Sequence, residues 1–249
     1  MDGITRDDLS LTVMTGNSFP ICENPELKLN SFKHWFEFWL KIYRDQGSTF
    51  SPSPADFYRQ DFIIIMTLKS RPLEPIGLSL SSIYNLDCAV NQQHHYASFY
   101  TSQFIEKLKE RGSSTVMSSE YLSLCPEFRT RIEGLSAASI LIEGTILNMV
   151  ACGHHRMICT ARADNSTSYL AQIAGYEIFQ SDLEKRAFRC DLMHVDAKQR
   201  SSVDSVKQQR VKELANSIWE RVTICHDAKL RMEFLREHSP ASSVSSKAA

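Results

Sequence analysis

The chain carries almost no net charge. Its 249 residues hold 28 basic and 29 acidic side chains, a formal net charge of -1. No broad field therefore recruits nucleic acid or an acidic membrane surface, and partners have to be argued from sites. No apolar run reaches the ~18 residues needed to cross a bilayer, and the opening MDGITRDDLS has neither the basic nor the apolar region of a secretory signal. The expected compartment is cytoplasmic. The seven cysteines lack the spacing of a disulfide framework and read as reduced, mostly buried thiols. No repeat of solenoid period is present. With 43% hydrophobic and 23% charged residues wholesale disorder is excluded, and the length allows one large domain or two small ones.

What is present reads as alternating strands and helices. Leu9 to Met14 suits a strand, and Gly16 to Pro25 a loop. In NSFKHWFEFWLKIYRDQG, Asn30 or Ser31 caps a helix whose Phe32, Trp35, Phe36, Trp39, Leu40 and Tyr43 recur at helical spacing, with Gly47 as the stop. Such a stripe is ordinarily core, and its other reading is the wall of an acyl or acceptor pocket. Phe62 to Leu68 is an apolar run typical of a strand covered on both faces, and Ile76 to Leu86 is its antiparallel partner. A helix is expected over Phe99–Arg111, a strand over Val116–Leu124, and a helix apolar nearly all round over Leu135–Cys152. A strand follows over His155–Ala161, parallel to the earlier one by a right-handed crossover. Ser166 to Ala174 reads as a short helix, and Tyr176–Phe179 with Ala187–Val195 as a strand pair joined by the polar turn QSDLEK. Residues 199–237 read as one or two helices, docked on the sheet or on a second subunit of a homodimer. The tail from 239 to 249 reads as disordered.

Within this order, Tyr121 to Leu135, YLSLCPEFRTRIEGL, stands out as a strand running into a helix. Pro126 stops the ladder, and the first N–H groups of a helix carry partial positive charge without an internal partner, which suits a phosphate or pyrophosphate. Arg129 and Arg131 would add to that field.

LSLCPEFRTRIEGL is similar to the strand, Pro-x-x-Arg and glycine-containing turn of the GCN5-related N-acetyltransferase (GNAT) superfamily. RADNSTSYLAQIAGYEIF resembles the family's strand end, Asn, short helix and Gly-aromatic segment, and the element order from about Phe62 to Val195 agrees. The resemblance implies an α/β (α+β) fold, a central mixed β-sheet splayed between two strands and flanked by helices. The acyltransferase domain would span 1–198, with a C-terminal helical extension at 199–238. It further implies acetyl-CoA or another acyl-CoA in the splay, with Leu124 and Cys125 at the strand end and the pyrophosphate on Phe128, Arg129, Thr130, Arg131, Ile132, Glu133, Gly134 and Leu135. Asn165 would lie near the pantetheine arm. Thr130 and Ile132 stand where the family commonly has glycines. The family's thiol-protonating Tyr would be replaced by the displaced Tyr169.

The implied activity is transfer of an acyl group from CoA to an amine acceptor. The synthases of N-acyl amino acids and acyl-homoserine lactones are the related branch, in which an acyl carrier protein (ACP) is the alternative donor. A non-catalytic acyl-CoA-binding or protein-binding module is the other class. Glu120, two positions before the splay, is the candidate general base, and its bland reading is a solvated strand-edge carboxylate. Cys125 offers a covalent acyl–thiol route. CGHHRMIC brings Cys152, His154, His155 and Cys159 together in sequence, but a helix end feeding a strand points alternate residues apart, so no metal is expected. His94 and His95 read as solvated or capping loop residues, with a place near the acceptor as their other reading.

Overall fold

A computed structural model of the chain describes residues 4–17, 22–92, 96, 99–111, 114–128 and 131–238, with 92 and 131 described for their backbone only. His94, His95, Arg129, Thr130 and the tail from 239 lie outside the described residues.

The order is β1 (Leu9–Met14), α1 (Pro25–Asp45), α2 (Pro54–Tyr58), β2 (Phe62–Leu68), β3 (Arg71–Ser81), β4 (Ile83–Asn85), α3 (Ala89–Gln92), α4 (Ser102–Glu110) and β5 (Thr115–Leu124). There follow β6 (Arg131–Ile132), β7 (Leu135–Ser136), α5 (Ala137–Ala151), β8 (Arg156–Arg162), α6 (Thr167–Ile173), β9 (Glu177–Lys185) and β10 (Phe188–Asp196). The chain closes with α7 (Ser205–Trp219), β11 (Thr223–Ile224) and α8 (His226–Glu237).

One mixed sheet runs β11-β1-β2-β3-β5-β8-β10-β9, with β4 also paired to β5. β5 and β8 are parallel, as the crossover through α5 requires, and β1–β2, β2–β3, β3–β5, β8–β10 and β10–β9 are antiparallel. Every residue of β2 is buried. Phe62, Ile64 and Met66 enter the core beneath α5, whereas Ile63 and Ile65 enter the one beneath α1. Helices thus cover both faces, and truncating one of these residues to Ala should cost roughly 2–5 kcal/mol. α7 and α8 contribute Val211, Leu214, Ile218, Ala228 and Met232 to the α5-side core, and β11 pairs with β1. The C-terminal helices therefore dock on this subunit's own sheet.

Three elements differ from their sequence reading. α1 begins at Pro25, where Asn24 Oδ1 accepts from the Leu27 N–H at 3.2 Å. Proline at the first helical turn behind an Asn cap is a start signal that a loop reading of the same residues hides. QSDLEK is strand, part of β9, and the turn is Arg186–Ala187, both at positive φ (53° and 73°). The strand-to-helix connection holds a small hairpin, β6–β7, so α5 starts at Ala137.

Candidate active site

The parallel pairing of β5 with β8 ends at Ser119 opposite Cys159. β5 then follows β3 as far as Leu124 opposite Gly77, and β8 follows β10. A bulge drives the separation. Leu78 pairs with Ser123 and Leu80 with Glu120, so Ser79 faces two residues, and Tyr121 takes φ 49°. A left-handed non-glycine residue costs about 1–2 kcal/mol. The Tyr121 ring offsets this by packing edge-on against Trp35 and Trp39 at 5.5 and 5.3 Å, and its carbonyl accepts from Trp39 Nε1 at 3.3 Å. The extra residue puts Glu120 and Tyr121 on the same face of the sheet and sends Leu122 and Leu124 to the α5 side.

Tyr96 ties the strands where they part. Its hydroxyl donates to the Ser119 carbonyl at 2.9 Å and accepts from the Thr160 N–H at 3.3 Å, two backbone groups beyond the last rung of the ladder.

Past this tie a cavity of about 520 Å³ opens through the sheet. Ser119, Leu122, Leu124, Thr160 and Ala161 form its strand walls. On one face it meets α6 and the start of α5 through Ser136, Ala138, Ile142, Thr167 and Leu170, and on the other it meets α1 through Phe38, Trp39 and Ile42. Ser136 is the N-cap of α5 and its side chain makes no capping bond, so the positive end of a 15-residue helix opens on the cavity. A smaller recess of about 60 Å³ shares Trp39, Tyr121, Thr160 and Arg162 with the cavity and adds Tyr43, Lys185, Arg186 and Phe188.

Of the residues expected at the cofactor, Leu124 and Asn165 line the cavity. Asn165 also accepts from the Thr167 N–H at 2.8 Å, which starts α6. The hairpin carries the rest of the turn elsewhere. Ile132 and Leu135 point into the core. Glu133 and Gly134, at φ 49° and 82°, form a two-residue turn whose tip meets Arg6, with Arg6 Nη2 to Glu133 Oε2 at 2.7 Å. Phe128 lies under the Arg71 guanidinium, 5.5 Å from its ring centre. Among the described residues, the helix N-terminus that opens on the cavity is that of α5, at Ser136 and Ala138.

Tyr169 is 49% exposed beneath Lys207. Thr167, Leu170 and Ala171 are the α6 residues that face the cavity, and helical spacing turns position 169 the opposite way. The phenols that line the cavity are Tyr121 and Tyr176; Tyr176 directly follows the turn glycine Gly175, and its burial holds the phenol in the protonated form. Glu120 does not line the cavity. It is 2% exposed, and its Oε1 accepts from Ser118 Oγ at 2.5 Å and Tyr84 OH at 3.0 Å. Burial lifts its carboxyl to about 7, against the opposing pull of those hydroxyls and Lys185. It is not a solvated carboxylate, and it stands outside the cavity wall. Lys185, read as part of a polar turn, is buried instead; its ammonium donates to Thr160 Oγ1 at 2.6 Å and sits 4.2 Å over the Tyr96 ring, and burial lowers its pKa to about 8.

Cys125 has a histidine partner that spacing did not reveal, His34 of α1, with Sγ and Nδ1 3.6 Å apart. Burial holds the thiol up at about 11 and pushes the imidazole down, so the pair is a thiol beside a neutral ring. Cys125 is not a cavity residue, and the covalent route has no footing in this arrangement. Among the described residues no three metal-ligating side chains gather, and no described helix is long and apolar enough to cross a membrane.

The sequence matches no family model and no curated relative. The structure is similar to that of BjaI, a CoA-dependent acyl-homoserine lactone synthase solved with SAM and isopentyl-CoA, at a TM-score of 0.57 and 7% identity, covering 91% of this chain and 99% of that one. It is also similar to FeeM, an N-acyl amino acid synthase from uncultured soil microbes, at 0.53 and 9%, covering 81% and 97%. At these identities the likeness is one of fold. What is shared is a GNAT-like fold, a mixed sheet opened between two strands and flanked by helices.

Proposed function

We propose that this protein is an N-acyltransferase that moves an acyl group from CoA to an amine by direct transfer inside the splay. The observation that carries the reading is a cavity passing between β5 and β8, with a helix N-terminus on one face and an aromatic wall on the other. The start of α5 is suited to the pyrophosphate of an acyl-CoA, because backbone N–H groups hold phosphate without particular side chains. Asn165 and Leu124 flank the pantetheine path.

In the reaction the amine nitrogen bonds to the thioester carbonyl carbon and the oxygen becomes an oxyanion. The C–S bond then breaks, and the thiolate takes up the proton the amine gives away. The edge of β5 beyond Ser119 has lost β8 as its partner, and N–H groups there serve the oxyanion. Glu120 is sealed from the cavity, so it acts as a base only through intervening hydroxyls or water. Tyr176, the aromatic of the Gly-aromatic pair and a phenol that lines the cavity, takes the role expected of Tyr169.

Apolar walls of Phe38, Trp39, Ile42, Leu122 and Ile142 favour an acyl chain longer than acetyl, and BjaI was solved with a branched acyl-CoA. Delivery of the acyl group by an acyl carrier protein is the variant of this reading. The second reading is a module that binds acyl-CoA without turnover, favoured by the sealed Glu120 and the outward Tyr169. Calorimetry with CoA thioesters of two to twelve carbons, followed by a thiol-release assay on mixed amines, separates them. Tightest binding of a medium chain with amine-dependent thiol release is expected. Binding without release would leave the module, and no binding of any acyl-CoA or acyl carrier protein would sink both.

A further inference from the structure

Glu120 is sealed from the cavity, so the proton that the attacking amine gives up needs another receiver. Thr160 stands one residue past the last rung between β5 and β8, and it lines both the cavity and the recess beside it. Its Oγ1 accepts from Lys185 Nζ at 2.6 Å. Lys185 is the last residue of β9 and reaches Thr160 across β10, with its ammonium seated over the rings of Tyr96 and Phe99 at 4.2 and 4.3 Å. The Tyr96 hydroxyl also accepts from the Thr160 N–H at 3.3 Å. One aromatic side chain therefore fixes both ends of the Thr160–Lys185 contact, and a hydroxyl beside a base that a third group orients is the arrangement of a proton-transfer site.

The surroundings of Lys185 favour loss of its proton. It is 9% exposed, Thr160 Oγ1 is its hydrogen-bond partner among the described residues, and no described carboxylate stands within ion-pair distance. Burial is the main cause that lowers its pKa to about 8, and Arg186 in the adjoining turn adds to it. Glu120 from β5, Cys190 from β10 and Cys159 from β8 pull the other way. Burial keeps both thiols protonated, together with the phenols Tyr43, Tyr96 and Tyr121. Arg162, which also lines the recess, is gripped by Asp164 through bonds of 2.8 and 2.7 Å. A lysine tuned in this way is matched to accept protons close to neutral pH.

We infer that Thr160 and Lys185 form a proton relay, in which the Thr160 hydroxyl takes a proton from the amine nitrogen as it passes its own to Lys185 Nζ. The inference rests on the acyltransferase reading for its chemistry, and on this contact for the base. With Nζ charged, the ammonium donates to the hydroxyl; with Nζ neutral, the hydroxyl donates and its lone pairs are left for the amine. As the C–N bond forms, one nitrogen proton moves to Oγ1 and the hydroxyl proton to Nζ. As the C–S bond breaks, the Tyr176 phenol protonates the thiolate. The Lys185 ammonium and the Tyr176 phenolate then recover their starting forms by proton exchange through water, so the net transfer is one proton from nitrogen to sulfur.

The test uses the full chain, with an acyl-CoA and an amine from which the wild-type protein releases thiol, and follows kcat/KM against pH for wild type and Lys185→Met. The ionisation of the amine is common to both profiles, so their ratio reports the side chain alone. That ratio should rise through about pH 8 to a plateau on the order of 100-fold, and below it should fall in proportion to the neutral fraction. Lys185→Arg keeps the charge and the donor but cannot release a proton, and it should be as slow as Lys185→Met. Thr160→Ser should retain most of the rate. Thr160→Val should lose as much as Lys185→Met, and the two combined should lose no more than either alone. Side-chain NMR of isotope-labelled lysines, without substrate, should show Lys185 ionising near 8, assigned by its absence in Lys185→Arg. A ratio flat with pH, or a Lys185→Arg protein as fast as wild type, overturns the relay and leaves the acyltransferase standing. If every lysine of wild type ionises near the ordinary 10.5, the relay falls whether or not the variants fold. No thiol release by wild type from any acyl-CoA and amine overturns the acyltransferase, and the relay with it.

Discussion

Replacing Tyr96 by Phe removes one oxygen atom from the point at which β5 and β8 separate. The ring and its packing remain, but the Ser119 carbonyl and the Thr160 N–H lose their shared partner. Tyr96 is 5% exposed. Leaving a buried polar backbone group without a bond costs about 1–3 kcal/mol, and two are affected here. Ser119 and Thr160 also line the cavity, so water entering there recovers part of the loss, and a net destabilisation of about 2 kcal/mol is expected. For a domain of this size that corresponds to a fall in Tm of about 4–8 °C. Urea unfolding and thermal melting measure the size of the effect, and amide hydrogen exchange locates it, with the Thr160 N–H losing protection. Tyr169→Phe serves as the control, because its half-exposed hydroxyl holds no such pair, and it should stay within about 0.5 kcal/mol of wild type. A Tyr96→Phe protein that is as stable as wild type, with Thr160 equally protected, would refute the view that this hydroxyl ties the splay.

Two further outcomes follow from buried charges. Glu120 has its carboxyl raised from an ordinary 4.5 to about 7, so the fold favours its protonated form. That contribution is complete below about 4.5 and is lost as pH rises through 7, a change on the order of 3 kcal/mol. Glu120→Gln mimics the protonated form at every pH. Denaturant midpoints should therefore show wild type losing ground against the variant between pH 5 and 8, and a difference that is flat or of opposite slope would count against a desolvated carboxyl. The second case is Glu143, 1% exposed on α5, which pairs with Arg200 at 2.7 Å. Arg200→Met strands a buried carboxylate and should cost about 3–5 kcal/mol, whereas the double variant Glu143→Leu with Arg200→Met should return to within about 1 kcal/mol of wild type. A double variant as unstable as Arg200→Met alone would show that the cost lies in packing.

How much of this was legible in the sequence depends on whether a residue's role is local. β2 and α5 are written in largely apolar runs, and α6 in its flanking Asn165 and Gly175, so the strand-helix-strand frame of the splay could be read directly. α1 was recognised by its aromatic stripe, yet its first turn was lost because Asn24 and Pro25 signal a loop as readily as a helix start. Glu143 could not be found by periodicity, since it occupies a buried position in a helix apolar on all sides, and Arg200, 57 residues later, is what makes it tolerable. The second half of β9, Gln180–Lys185, was read as a turn for a physical reason as well. As an edge strand β9 exposes Glu177, Ser181, Asp182 and Glu184 to water, and a strand solvated along its outer side carries the composition of a turn.

The site proper was the least legible part, because its geometry is made by residues in conformations their types do not announce. A bulge at Tyr121 has no glycine to mark it, and it persists because Trp35, Trp39 and Arg186, from two distant elements, hold that phenol. The same holds at Arg186 and Ala187, a tight turn with neither Gly nor Asn. Tyr121 gives up local stability to line the cavity, and Arg186 to line the recess beside it. The residues that looked chemical, Glu120, Tyr169 and Cys125, were chosen by type and spacing, and all three lie outside the cavity wall. The residues that line it, Ser119, Thr160 and Tyr176, have ordinary neighbours in sequence and come together only where two parallel strands stop pairing. Chemistry at this opening is therefore set by where the ladder ends, and moving that end by one rung, as the loss of the Tyr96 hydroxyl would begin to do, should change what the cavity accepts before it changes the fold.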